Sequence, residues 1–126
     1  MTRGLRVDPA ALLHDVAVSG AIDASIRDRC RRLVLPLERA DAERGSDLRA
    51  TLRAYFANGC SVAKTAETLF LHRNSVRYRL DRIRSLLRLD VEHHEIAATL
   101  LLAMTIAEME RLSFDDRKAN EAQRPQ

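Results

Sequence analysis

The 126-residue chain abounds in alanine and leucine, contains only 4% aromatic residues and no tryptophan, and carries a formal net charge of +3. That length holds one domain, or one domain with an appendage, and so few aromatic residues suit helices better than sheets, so the expected fold class is all-α. A charge of +3 is too small to argue by itself for a polyanionic partner, so its distribution along the chain matters more than its size.

Asp8-Pro9 reads as a helix opening, an N-cap oxygen followed by proline at the first helical position. Leu12, Leu13, Val16 and Ala17 form the apolar face behind it, and Gly20 ends it. A second helix is predicted over about 23–35, with Ile26, Cys30, Leu33 and Val34 facing inward, until Pro36 interrupts the hydrogen-bond ladder. Residues 37–44 then form a short polar helix or turn. Gly45-Ser46-Asp47 supplies a break and a cap for a helix carrying Leu48, Leu52, Tyr55 and Phe56, which Gly59 ends. Ser61 caps the next helix, whose apolar positions are Val62, Ala66 and Leu69. After Phe70-Leu71-His72 an arginine-rich helix begins, predicted over about 73–86. Asp90 caps a last helix to about residue 112, and the polar residues from 113 to 126 are expected to be a disordered tail.

Charge is concentrated in one place. Residues 72–88 hold six arginines against Asp81 alone, a net +5, which leaves −2 for the rest of a chain at +3. A merely solvated helix face would interleave both signs. At about 100° per residue, Val76, Leu80, Ile83 and Leu87 fall on one narrow stripe that faces a core. Asn74, Tyr78 and Asp81 lie opposite, flanked by Ser75, Arg77 and Arg82.

A helix anchored on one face and cationic on the other, preceded across a three-residue turn by a second helix, is the pattern of a helix-turn-helix. Duplex DNA is the expected partner. Arg73, Asn74, Ser75, Arg77 and Tyr78 occupy the N-terminal part that reaches base edges; arginine can grip guanine and asparagine adenine in the major groove. Ser61, Lys64, Thr65, His72, Arg79 and Arg82 are the candidate phosphate contacts, the first and fourth at helix N-termini where free N–H groups and the helix dipole favour anions. Asp81 sits at helical spacing from both Arg77 and Arg84 and is expected to orient one of them.

With these residues in place, the string His72-Arg73-Asn74-Ser75-Val76-Arg77-Tyr78-Arg79-Leu80 and the lead-in from Asp47 closely resemble the C-terminal helix-turn-helix of PucR/CdaR-type bacterial transcriptional regulators. The resemblance covers roughly residues 33–112. The order Ala66, Leu69, Leu71, Val76, Leu80 is also similar to Fis, which implies a Fis-like trihelical core with the helix from Arg73 as recognition helix. What the resemblance implies is a sequence-specific DNA-binding regulator. Residues 1–32 are then a short helical segment: a remnant of the family's sensor region, or part of an excised fragment or of a stand-alone regulator.

Other function classes find less in the sequence. No nucleophile–base set, glycine-rich phosphate loop or paired carboxylates appear, so no enzyme and no cofactor are expected. Adjacent His93 and His94 diverge by about 100° on a helix and cannot share an ion, so no metal is expected. Cys30 and Cys60 form no metal-binding spacing and read as free thiols, Cys60 as a packing residue. No long apolar run suggests a membrane span or a signal peptide, and a cytoplasmic location is expected. The broad apolar stripe from Ile96 to Met109 on the last helix exceeds the needs of one small core, so a homodimer through that helix is expected. The same stripe supports an alternative, an interaction module that pairs with itself or with a full-length regulator and does not bind DNA alone. An arginine-rich helix also suits structured RNA, but stacking aromatics other than Tyr78 are scarce.

Overall fold

The computed structural model describes residues 9–125, which form six helices and no strand: α1 Pro9–Val18, α2 Ala24–Arg44, α3 Leu48–Ala57, α4 Val62–Leu69, α5 Arg73–Leu87 and α6 His94–Ala122. The fold is all-α. Proline opens α1 as predicted, while the proposed Asp8 cap lies outside the described residues. Leu12 and Val16 on this helix are exposed rather than packed.

Asp23 caps α2, its carboxylate accepting the Ile26 N–H at 2.9 Å. The helix then runs through Pro36 to Arg44, where Gly45 in the left-handed conformation ends it. This corrects the expected stop at residue 35. A proline inside a helix costs about 3 kcal/mol. Here Leu37 is fully buried and Ala40 nearly so, one and four residues past the proline, and burying a leucine alone returns about 1.5–3 kcal/mol. Tertiary packing therefore outweighs the local break. The boundary between residues 32 and 33 drawn from the resemblance falls inside this single helix, which packs on α3, α5 and α6. Ile26, expected inward, is 41% exposed.

Asp47 occupies the N-cap position of α3 but makes no side-chain cap. Asp41 on α2 does that work. Its Oδ1 accepts from Leu48 N–H at 2.8 Å and from Ser46 Oγ at 2.9 Å, and its Oδ2 accepts from Arg49 N–H at 3.2 Å and Arg49 Nε at 3.4 Å. One carboxylate thus closes the N-terminus of α3 and fixes its entry against α2.

Leu37, Leu48, Leu52, Tyr55, Ala66, Val76, Leu80, Ile83, Val91, Leu100 and Met104 share one core cluster. Asp90 caps a turn and not α6 itself: its carboxylate accepts from Glu92 N–H at 3.0 Å, while the buried Val91 holds that turn to the core. The helix starts at His94 and continues past residue 112 to Ala122, so most of the segment expected to be a tail is helical, though exposed. Its alanines, lysine and glutamate are good helix formers, and the Lys118 ammonium sits 4.9 Å from the Phe114 ring centre, one turn away. The apolar stripe of α6 is largely covered within the chain: α2 and α1 pack on it, and Leu100, Ala103, Met104, Ile106 and Ala107 are buried.

Both cysteines are free, Cys30 half-buried and Cys60 exposed. Cys60 is therefore not a packing residue. Burial, helped by the Glu110 carboxylate and opposed by Arg29, pushes the Cys30 thiol above its ordinary value, so less of it is thiolate near neutral pH. We expect a maleimide at pH 7 to label Cys60 first, with Cys30 labelling accelerating as pH rises toward its raised pKa. Peptide mass spectrometry of a time course reads both sites.

Candidate nucleic-acid interface

Ser61 ends the preceding loop in extended backbone, and its Oγ accepts the Lys64 N–H at 3.2 Å, the cap that starts α4. Phe70 ends α4 in the left-handed conformation at φ 56°. His72, again extended, caps α5 with its ring: Nδ1 accepts the Asn74 N–H at 3.1 Å. Nε2 is then the ring nitrogen left for another partner.

From this start α5 packs on α2, α3 and α4. Val76, Leu80 and Ile83 are buried and Leu87 is half-buried against the same core, which is the stripe read from spacing. Arg73, Asn74, Arg77 and Tyr78 are exposed and Ser75 is partly so. The structure brings these five together on the first turn and a half of one helix. Asn74 Oδ1 lies 3.5 Å from Arg77 Nη1, a long contact that links the two side chains best suited to base edges.

The phosphate candidates divide. Lys64 and His72 are exposed, and Ser61 and Arg82 are partly exposed. Among the described residues no carboxylate lies within ion-pair distance of Lys64, Arg73, Arg77 or Arg82. Thr65 is different: it is fully buried, and its Oγ1 donates to the Ser61 carbonyl at 2.7 Å. Arg79 is partly exposed and engaged at one nitrogen. Its Nη1 donates to Thr51 Oγ1 at 3.0 Å, and that buried hydroxyl donates in turn to the Asp47 carbonyl at 2.7 Å. Thr65, with no exposed surface, offers no hydroxyl to a groove wall, while Arg79 keeps its other guanidinium N–H groups on a partly exposed residue.

Arg79 is then a brace between α5 and α3. We expect Arg79→Ala to lower unfolding stability by about 1.5–3 kcal/mol, the usual worth of a hydrogen bond to a charged group. The slope of log affinity for duplex DNA against log salt should stay unchanged, whereas Lys64→Ala should reduce it by about 0.9. Urea unfolding and a salt titration separate the two roles.

Arg84 leaves the cationic set by another route. Its Nη1 donates to Asp81 at 2.9 Å and its Nη2 to Glu92 at 2.7 Å, so two carboxylates neutralise it beside the turn before α6. Asp81 therefore orients Arg84 and not Arg77. Spacing allowed either arginine, and the deciding Glu92 lies eight residues away.

Residues 48–106, which span α3 to the middle of α6, match the family model described as the PucR C-terminal helix-turn-helix domain. This segment is a PucR-type helix-turn-helix domain. The chain is 38% identical over 61 residues to the carbohydrate diacid regulator of Escherichia coli, covering 48% of this chain and 16% of that one. It is 30% identical over 70 residues to the proline-responsive transcriptional activator PutR of Bacillus subtilis, covering 56% and 17%. An uncharacterized protein of Haemophilus influenzae is 43% identical over 51 residues, covering 40% and 14%. The chain thus spans 14% to 17% of the length of these relatives. Both named relatives are regulators. Of the described residues, no helix is long and apolar enough to cross a membrane, and no group of three or more metal-binding side chains occurs.

Proposed function

We propose that the PucR-type domain is a sequence-specific DNA-binding module of a transcriptional regulator and that α5 enters the major groove. Arg73, Asn74, Ser75, Arg77 and Tyr78 face base edges, with Ser61, Lys64, His72 and Arg82 on the flanking phosphates. The carrying observation is the division of α5 into a buried stripe of Val76, Leu80 and Ile83 and an exposed face whose arginines have no carboxylate partner among the described residues. A helix held this way fits a groove about 12 Å wide with its side chains in a fixed register.

Homodimerisation through α6 keeps a narrower basis than its sequence suggests. With the stripe covered by α1 and α2, the exposed Leu101, Leu112 and Phe114 are the large apolar side chains that α6 offers a second copy. A dimer would place two α5 helices on a symmetric site, with half-sites about one helical turn apart.

Selection from a random duplex pool, followed by titration of the chosen duplex against salt, tests this reading. The expected result is one preferred sequence and a slope of about −0.9 for each phosphate neutralised. Sedimentation of the same complex gives the number of copies bound. A chain that associates with itself yet selects no duplex at low salt would favour the interaction-module reading instead.

A further inference from the structure

Phe70 is 96% exposed, and it stands at φ 56°, in the left-handed region that disfavours any residue with a Cβ. Its conformation is held from both sides. The Phe70 N–H reaches the Glu67 carbonyl at 3.3 Å and the Leu71 N–H reaches the Ala66 carbonyl at 2.9 Å, a helix-ending arrangement usually filled by glycine. Leu71, the next residue, is partly buried against the core, which anchors the turn on that side. An exposed apolar ring and a strained backbone thus coincide at one residue, where glycine would avoid both.

The place of this ring identifies what it meets. Phe70 precedes Arg73 by three residues and Asn74 by four, and three residues of chain span at most about 10 Å. Its neighbours toward α5 are the exposed His72 and Arg73, and Lys64 and Arg77 are exposed on the same two helices. This cationic setting suits a polyanion better than an apolar protein surface. At the edge of a major groove the one strongly apolar group on a base is the 5-methyl of thymine, which phenylalanine is suited to contact.

We propose that Phe70 packs on a thymine methyl at the edge of the half-site and so extends the readout beyond the five α5 residues. The proposal rests on the DNA-binding reading above. It makes the α4–α5 turn a specificity element, with Asn74 and Arg77 reading hydrogen-bonding edges and Phe70 reading a methyl group.

The test uses the full chain and the duplex it selects from the random pool, resynthesised with uracil replacing thymine at one position at a time. Uracil removes the methyl and leaves every Watson–Crick bond intact. At one position within about three base pairs of the guanine or adenine read by α5, the wild-type chain is expected to lose about fourfold in affinity, the worth of one buried methyl-sized group. Phe70→Gly, which relieves the backbone and keeps the turn, is expected to bind the thymine and uracil duplexes equally there. It should select the same bases elsewhere and melt no lower than wild type. Equal sensitivity of both chains to uracil at every position overturns the proposal but leaves the DNA-binding reading standing, and so does a wild-type chain indifferent to uracil throughout. If the wild-type chain selects no duplex, the DNA-binding reading fails and the proposal falls with it.

Discussion

Replacing Asn74 and Arg77 together by alanine is expected to abolish sequence preference while leaving the fold intact. Each well-made bidentate pair with a base is worth about 1–3 kcal/mol of discrimination, so two independent losses amount to about 2–6 kcal/mol, roughly 30-fold to more than 10⁴-fold in affinity. The contact between Asn74 Oδ1 and Arg77 Nη1 makes the pair neighbours, so the double change should fall short of the sum of the singles. Both side chains are exposed, and their removal should shift unfolding stability by no more than about 0.5 kcal/mol. Binding to a random duplex at low salt should persist through Lys64, Arg73 and Arg82, weakened by about one phosphate contact. Gel shifts on the selected and a scrambled duplex, read beside urea unfolding, check all of this. An unchanged preference in the double variant would remove α5 from base readout.

The second large effect is on stability and lies far from α5 in sequence. Asp41→Ala removes the side-chain cap of α3 and strands the Leu48 and Arg49 N–H groups and Arg49 Nε, while Ser46 Oγ keeps the Ala40 carbonyl at 3.1 Å. Losing a cap costs about 0.5–2 kcal/mol and a charge-assisted hydrogen bond about 1.5–3 kcal/mol; because these bonds share one carboxylate, we expect a combined loss of about 2–4 kcal/mol. Asp41→Asn keeps one acceptor oxygen without the charge and should lose about half as much. The urea midpoint should fall with the slope unchanged, the sign of lost stability without a change in the surface exposed. Asp47→Ala is the control. Its side chain makes no cap, so it should lose far less, although it occupies the N-cap position.

These two predictions divide along the line between what was legible in the sequence and what was not. Several local signals held where both partners lie within about one helical turn, although Asp47 makes no cap and Pro36 ends no helix. Ser61 reaches Lys64 N–H, Asp23 reaches Ile26 N–H, and Gly45 and Gly59 take the left-handed conformation at or just past helix ends. The stripe of Val76, Leu80 and Ile83 follows from 3.6 residues per turn and is buried as read. Signals failed where the deciding partner is distant. A helical wheel does not show that Arg79 engages Thr51, which lies 28 residues away. Asp41 caps a helix seven residues later, and no local capping pattern marks it. A bulky apolar side chain in the three-residue turn, Phe70, is the one local signal there of an exposed ring.

The amino-acid sequence by itself determined the all-α class, the helix-turn-helix at residues 61–87, and which face of α5 is apolar. Each of these depends on periodicity and on contacts between residues one to four apart, and such contacts form in any context that permits a helix. Only the tertiary structure decided that α2 passes through Pro36, because the gain from burying Leu37 and Ala40 exists only once α3, α5 and α6 are in place. It also decided which arginines are engaged within the domain: Arg79 and Arg84 carry the same charge as Arg73 and Arg77, but Thr51 bonds the first and Asp81 and Glu92 the second.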